Sequence, residues 1–346
     1  MKTYQQCIYW LLLLGFTFGS YQGLFAASHN VADKLHLKGD FRLRQEISEQ
    51  QSQDYRRIRQ RIRLRLDGTA SVLDQSKVQF GLATGGDDAR STNQTLENQF
   101  QTPDIRLDYA FIQHQLSPVL QIMGGKMKNP LWRPSDLLWD SDIRPDGVSF
   151  SYEKAFDNRA LFTTASHFIL DEKTSQEDPC LTVIQPGIKW AIDQNIKGQV
   201  AMGGYLSQHL EKSYQVLAVS GKIDFYHRLF GVNLFRLFGE FVMNSQADDD
   251  RQGMIAGVQF GDRKVKGLGM WQSTISYRYL QSNAWFDFLA DSDAYGGNTN
   301  TKGFEIIVHY GLSQKMSLGV DFYLMDQISG IKNEEALIQF DLNAKF

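Results

Sequence analysis

The stretch Tyr55–Leu66 (YRRIRQRIRLRL) constrains the fold of this chain more than any other feature of the sequence. Arginine occupies every second position, and mostly apolar residues fill the positions between. Strict alternation predicts a β-strand whose two faces meet different surroundings. In a soluble protein the arginines would face water and the isoleucines a core, whereas in a membrane barrel they would face a wet lumen and lipid. The alternating arginines are Arg57, Arg59, Arg61, Arg63 and Arg65.

The first residues have the layout of a secretory signal, with Lys2, an apolar run over Ile8–Phe18, and small residues at Ala26–Ser28. We predict a signal peptide over residues 1–27, cleaved between Ala26 and Ser28, and a mature chain over residues 28–346. The apolar run is shorter than the roughly 20 residues that a membrane-spanning helix needs. No later run is long enough either, so the sequence predicts an exported soluble protein or an outer-membrane barrel.

Charge and cysteine content narrow the class further. Loss of Lys2 leaves 35 of the 36 basic residues against 39 acidic ones, a net charge of −4, which argues against a nucleic-acid partner. Cys7 leaves with the signal, so Cys180 is the one cysteine of the mature sequence, and no intramolecular disulfide can form there.

The alternating pattern repeats along the whole chain. We count about sixteen strands, each near the 9–11 residues that a tilted spanning strand needs, from Leu35–Glu46 to a last strand ending at Phe346. Short and long polar connections alternate between them. This predicts an all-β, closed, antiparallel transmembrane barrel with short periplasmic turns and long extracellular loops.

Two regions are less regular. In Ile105–Gln113, alternation predicts Ile105, Leu107, Tyr109 and Phe111 on the lipid face, with Arg106, Asp108 and His114 inside. In Phe230–Asn244, Val232 and Leu234 favour one face, whereas Leu237, Phe241 and Met243 favour the other. The sequence leaves the register of that segment open.

A soluble β-sandwich is the alternative architecture, but it would need a second sheet to cover some sixteen apolar strand faces. In a membrane, lipid covers these apolar faces and no second sheet is needed. If the chain spans a membrane, slipping Tyr55–Leu66 by one residue would turn five arginines towards lipid, at a total cost of up to about 10 kcal/mol. The face assignment of this strand therefore follows from the membrane premise.

Three motifs resemble those of known outer-membrane proteins. The ending LIQFDLNAKF resembles the terminal strand that the barrel-assembly machinery reads, through Ile338, Phe340, Leu342 and Phe346. The first strand carries GDFRLR over Gly39–Arg44, and the next carries the arginine repeat. A WD-x-D-x-x-P-x-G segment follows at Trp139–Gly147. Together they resemble the bacterial putative porin family.

The resemblance implies a sixteen-stranded porin in the outer membrane of a Gram-negative bacterium, in contact with lipid and lipopolysaccharide, and forming a homotrimer. It implies passive diffusion of small hydrophilic solutes and ions, and a third loop (residues 127–146) folded into the lumen. No cofactor and no metal are expected.

A porin lumen needs a constriction with an electric field. We expect one wall of the pore to be lined by basic residues and one carboxylate of the first two strands, opposite carboxylates of the third loop. The predicted pore-lining residues are Lys38, Asp40, Arg42, Arg44, Arg57, Arg59, Arg61, Arg63 and Arg65; the predicted constriction residues are Asp136, Asp140, Asp142 and Asp146. The alternative is that these aspartates and their tryptophans only anchor the loop.

Two other functions compete with the channel. A plugged structural or adhesive barrel would show the same alternation. A barrel hydrolase such as a phospholipase would need Ser, His and an orienting group on the outward face. The outward sets contain no histidine, so the sequence predicts that the protein is not an enzyme.

Overall fold

A computed structural model describes residues 35–226 and 231–346. The predicted signal peptide lies outside the described residues. Among these residues, no helix has the length and hydrophobicity required to cross a membrane. The strands are β1 (Leu35–Gln50), β2 (Arg57–Leu73), β3 (Ser76–Thr84), β4 (Gln94–Thr95), β5 (Ile105–Ser117), β6 (Leu120–Lys126), β7 (Asp146–Phe156), β8 (Arg159–Ile169), β9 (Cys180–Ala191), β10 (Ile196–Gln208), β11 (Gln215–Phe225), β12 (Leu234–Asn244), β13 (Gln252–Gly261), β14 (Trp271–Leu280), β15 (Thr301–Gly311), β16 (Met316–Gln327) and β17 (Glu335–Lys345). One short 3₁₀ helix is described, at Tyr295–Gly297.

Sixteen of these strands form a closed antiparallel ring, which confirms the predicted fold class. Each pairs with its neighbours along the chain, and β1 closes the ring by pairing with both β2 and β17. The seventeenth, β4, has two residues and pairs with β2 beyond the end of β3. Closure leaves none of the wall strands with an unpaired edge.

The connections around the ring differ in length. Short ones include residues 74–75, 118–119 and 157–158, whereas the three longest span residues 85–104, 127–145 and 281–300. These three lie at the same end of the barrel, because consecutive strands are antiparallel and an even number of wall strands separates each of them from the next. We call the three named long connections loop A (85–104), loop B (127–145) and loop C (281–300).

The outer wall of the barrel is apolar. Along the last three strands, Phe304, Leu318 and Phe340 (44 % exposed) alternate with inward-facing Glu305, Tyr323 and Gln339, which are buried. In a soluble protein such a belt of exposed large apolar residues would be a liability. Around a membrane barrel it is the surface that contacts lipid.

Aromatic rings cover glycines across neighbouring strands. Gly68 pairs with Phe80 and Gly198 with Trp190, and in each pair a Cβ on the glycine would lie within 2.3 Å of the partner's ring. A ring can therefore lie flat over the sheet at these places, which only glycine permits.

A β-bulge overturns one predicted face. The register between β3 and β5 shifts between Gly81 and Leu82, so that Gly81 pairs with Tyr109 and Leu82 with Leu107. One inserted residue exchanges the two faces of the strand beyond it. The prediction that Tyr109 and Phe111 face lipid is therefore wrong: both are buried, and the Tyr109 hydroxyl donates a hydrogen bond to inward-facing Asp67.

The segment whose register the sequence left open is settled from residue 231 onwards. Leu237 and Phe241 lie on the exposed outer face of β12, and Glu240 and Val242 are buried inside. Of the competing pair, Val232 precedes the strand, and Leu234 is its first residue and is buried like Glu240 and Val242.

The main buried apolar cluster lies inside the ring. Loops B and C contribute Met127, Leu137, Trp139, Trp285 and Phe286, all at most 2 % exposed. They pack with inward-facing apolar side chains of the wall. The wall members include Phe168, Leu181, Val183, Tyr205, Val216, Val242, Ile255 and Leu280. We call this set the apolar cluster.

Candidate functional site

The opposite part of the interior is charged. Inward-facing side chains of β1, β2 and the neighbouring strands form three adjacent groups of guanidinium–carboxylate contacts, which together we call the charged wall. Its members are Asp40, Arg42, Arg44, Glu46, Arg59, Arg61, Arg63, Arg65, Asp321 and Asp341. Alternation puts all these side chains on one face, because each lies at an even spacing from its neighbours on the same strand.

Arg44 occupies the most crowded position of the charged wall. Its Nε and Nη2 donate to the two carboxylate oxygens of Asp341 at 2.7 and 2.8 Å, a bidentate pair. Its Nη1 donates to Asp293 of loop C at 3.3 Å, and Nη2 lies 3.8 Å from Asp321. Three carboxylates therefore surround one buried guanidinium, and loop C is tied to the wall.

The arginines of β2 are bridged by carboxylates of β1. Asp40 accepts from Arg63 at 2.8 Å and from Arg65 at 2.9 Å, one oxygen for each. Glu46 accepts from Arg59 and, at 3.2 Å, from Arg61. Each carboxylate thus lies between two neighbouring guanidinium groups of β2, which reduces the repulsion between their positive charges.

Asp142 of loop B meets the charged wall. One of its oxygens accepts from Arg65 Nη1 at 3.2 Å, and the other accepts from the backbone N–H of Thr92 at 3.0 Å and its hydroxyl at 2.8 Å. Burial alone would raise the pKa of Asp142, but the guanidinium groups of Arg65 and Arg63 hold it below the ordinary value. Asp142 therefore stays ionised, and it joins loops A and B to β2.

Asp140 lies two residues away but has different partners. Its carboxylate accepts from the backbone N–H groups of Asp142 and Ser292, each at 2.8 Å, and its own N–H donates to the Leu289 carbonyl at 2.7 Å. Burial raises the pKa of Asp140 to about 6, and the backbone donors oppose the rise only in part. Asp140 fastens loop B to loop C.

A second charged centre forms around Arg278 of β14, which is 1 % exposed. Its Nη2 lies 2.6 Å from Asp136 of loop B, 3.2 Å from Asp291 of loop C and 3.6 Å from Glu305 of β15. As at Arg44, one guanidinium binds carboxylates from the wall and from the loops. Asp136 thus points to Arg278 and not to the arginines of β2.

The remaining predicted residues lie at the margins of the charged regions. Asp146 begins β7, and its carboxylate accepts from Lys126 at 2.9 Å in an exposed pair. Lys38 is 71 % exposed and lies 3.9 Å from Asp67, and Arg57 is exposed at the start of β2. Of the four predicted loop aspartates, Asp142 is the one that contacts the arginines of β2.

Of the four predicted assembly residues, Ile338, Phe340 and Leu342 lie in β17, and Phe346 comes directly after it. Phe346 exchanges backbone hydrogen bonds with Gly39 at 2.9 and 3.0 Å, and its ring lies over that glycine. Phe340 pairs with Gln45 of β1 and contributes to the outer wall. The described residues thus place this motif at the closure of the ring.

The prediction missed the centre around Arg278 and the part played by loop C. The sequence pattern could have indicated Arg278, because the outward positions Ile275, Tyr277 and Tyr279 put it on the inner face. It could not have indicated Asp291 and Asp293, since nothing in the sequence of a long polar loop shows how the loop folds back. Within the described residues, no group of three or more His, Cys, Asp or Glu side chains is arranged to hold a metal ion.

The charged groups described above are paired at hydrogen-bond distance, within the wall or with loops B and C. Charges fixed in this way can act on polar groups that come beside them. Loops A, B and C narrow the interior next to these pairs.

Comparison with known proteins agrees with the architecture. The sequence model of a family described as putative porins matches residues 44–215 and 222–346. OprB of Pseudomonas putida has a similar structure, with a TM-score of 0.64 at 8 % identity over 91 % of this chain and 95 % of that one. The outer-membrane channel DcaP of Acinetobacter baumannii gives 0.52 at 14 % identity, over 90 % and 97 %.

A loop-deletion mutant of OmpT, an outer-membrane protein of Vibrio cholerae, gives a TM-score of 0.53 at 11 % identity, over 91 % of this chain and 100 % of that one. At these identities the likeness concerns the fold. No curated protein sequence matches this chain.

Proposed function

This chain belongs to the putative porin family and forms a membrane-embedded channel of the outer membrane, and from that premise we propose that it passes small hydrophilic solutes and ions by passive diffusion. The charged wall carries the proposal. Ten charged side chains of β1, β2, β16 and β17 face inwards, and at Arg65 they meet a carboxylate of loop B. In a dry interior the desolvation of so many charged groups would be costly even though they are paired.

The proposed constriction lies beside the contact between β2 and loop B. Arg63 and Arg65 are on the β2 side of this contact, and Asp142, whose carboxylate is held by Thr92 as well, is on the loop side. A solute would pass beside this pair and not between its members, because Arg65 Nη1 and Asp142 Oδ1 are 3.2 Å apart. A polar solute crossing this field would align its dipole with it, and small ions would be sorted by sign. Such a channel needs no chemical step, so we propose that the protein is not an enzyme.

Orientation and assembly follow from the same proposal. The short connections face the periplasm and the long ones the outside, as expected for a barrel of this type. The apolar outer wall contacts lipid, and the long loops contact lipopolysaccharide. We further propose a homotrimer, and recognition of β17 by the barrel-assembly machinery.

Planar-bilayer recording tests the constriction. Asp142→Asn removes the carboxylate facing Arg65, so the reversal potential in a salt gradient should shift towards anion selectivity. Asp140→Asn is the matched control, because that carboxylate binds backbone N–H groups instead. Equal shifts in the two variants, or no shift in Asp142→Asn, would contradict the proposed field.

One observation favours the second candidate, a plugged structural or adhesive barrel. The apolar cluster occupies part of the interior, and Trp285 Nε1–H donates to the Leu138 carbonyl, which joins loops B and C inside the ring. Stepwise ion currents from the purified protein support the channel. Absence of current in the presence of correctly folded barrel would favour the plug.

A further inference from the structure

A cavity of about 480 Å³ lies on the short-connection side of loop B. Residues 130–132 of loop B form one side of it, and inward-facing side chains of β6 to β10 form the other. Its edge includes Pro118 and Val119 of a short connection, so the cavity opens towards that end of the barrel. The volume lies within the range of small-molecule sites in proteins.

Two aromatic rings form the apolar side of the cavity. The rings of Trp132 and Phe162 meet edge to face, with centroids 6.4 Å apart. The backbone of Trp132 is fixed by the Gln185 side chain, which accepts from the Trp132 N–H and donates to its carbonyl, both at 2.8 Å. Gln185 is itself 2 % exposed. The backbone that carries the Trp132 indole is therefore held in place.

The polar part of the lining carries no excess charge. Gln121 and Gln199 are amides that can donate and accept, and Thr164 adds a hydroxyl group. The charged members, Lys189 and Glu153, neutralise each other at 2.7 Å. Such a lining suits a neutral ligand with several groups that both donate and accept hydrogen bonds.

We propose that this cavity binds a neutral polyhydroxylated ring, a monosaccharide, with one face against Trp132. A pyranose has an apolar face of C–H groups that can pack on an aromatic ring, and a rim of hydroxyl groups for the amides and the Lys189–Glu153 pair. The assignment rests on the proposed function for the route by which the sugar arrives, but not for the binding itself.

Saturation-transfer NMR of the detergent-solubilised barrel tests the site with D-glucose as the probe. Sorbitol is the matched ligand, since its carbon chain carries hydroxyl groups of the same configuration but forms no ring face. Trp132→Ala should weaken glucose binding about tenfold, the loss expected for one aromatic packing partner. Trp271→Phe is the control variant, because Trp271 lies on the outer wall.

Glucose binding that exceeds sorbitol binding about tenfold, and that falls in Trp132→Ala but not in Trp271→Phe, supports the proposal. Should Trp132→Ala not fold, Glu153→Gln at the exposed ion pair decides: a loss of about fivefold supports the site. Wild-type protein that binds no glucose, or binds sorbitol equally well, overturns the site. An unchanged glucose affinity in a folded Trp132→Ala variant also overturns the site.

The channel and the site fail separately. Ion conductance without glucose binding overturns the sugar site and leaves the proposed channel standing. Glucose binding without conductance overturns the channel and supports the site.

Discussion

The charged wall and the apolar cluster share one barrel interior but are stabilised in different ways. In the charged wall, Arg44 and its neighbours are fixed by carboxylates of adjacent strands, at distances of 2.7–3.2 Å for the closest pairs. In the apolar cluster, Trp139 and Trp285 pack ring against ring, with centroids 6.2 Å apart, and polar contacts are few. The charged wall is rich in oriented charged groups, whereas the apolar cluster excludes water.

The difference shows that alternation fixes the outer face of a barrel more firmly than the inner one. Lipid accepts only apolar side chains on the outer wall, whatever the strand. Inside, a strand can carry paired charges, as β2 does, or apolar side chains that pack on a loop, as β9 does through Leu181 and Val183. Loops B and C cover the apolar inner faces with apolar side chains, and they meet the charged faces through carboxylates such as Asp142 and Asp293.

The largest effect is expected where the two regions meet, at Arg278. Arg278→Met would leave Asp136, Asp291 and Glu305 without their shared cation in a buried place. We expect a loss of about 4–5 kcal/mol in the free energy of unfolding, measured in urea for the detergent-folded barrel. Arg56→Met, at an exposed pair with Glu49, should cost less than about 1 kcal/mol. Similar losses for both would show that the buried centre is not a stabilising junction.

Trp285→Ala tests the apolar cluster directly. The indole is fully buried between Trp139, Tyr205 and Phe286. Its removal should cost about 3–4 kcal/mol through the lost burial and the cavity left behind. Loosened loops should also raise the single-channel conductance. A stable variant with unchanged conductance would mean that the cluster neither holds the loops nor narrows the lumen.

A smaller, pH-dependent effect is expected at Asp140. Its pKa of about 6 in the folded chain lies above that of an unfolded aspartate, so protonation stabilises the fold. This contribution is present below pH 4 and is lost as the pH rises through 6. Between pH 7 and pH 5 it should amount to about 1 kcal/mol.

Hydrogen exchange of loop B at pH 5 and pH 7 measures this effect, with Asp140→Asn as the comparison. The wild type should be better protected at pH 5, and the variant should lose most of that difference. A variant with the same pH dependence as the wild type would assign the titration to another group.

Much of the wall was predictable, because it depends on a period of two. The alternation in Arg57–Arg65 and in Ile338–Phe346 defines their faces without knowledge of any partner. The bulge between β3 and β5 was not predictable. A single inserted residue at Asp108 leaves no mark in the composition of the strand, yet it reverses the faces of Tyr109 and Phe111.

The contacts made by the loops could not be predicted from local sequence patterns, for a different reason. Asp140 and Ser292 are 152 positions apart and meet only because loops B and C fold back into the same space. Aspartates in a tryptophan-containing loop indicated that loop B is special, but not which carboxylate would face Arg65. Asp142 and Asp140 look alike in the sequence and differ only in their neighbours.

The pairing of β1 with β17 has a consequence for how the protein is made. Arg42 and Asn343 form a hydrogen bond at 3.0 Å although 301 positions separate them. Until the final strand has been synthesised, two rows of backbone amides and carbonyls have no partner, and hydrocarbon cannot solvate them. A growing chain therefore cannot insert strand by strand. Closure of the ring has to wait until β17 is available to pair with β1.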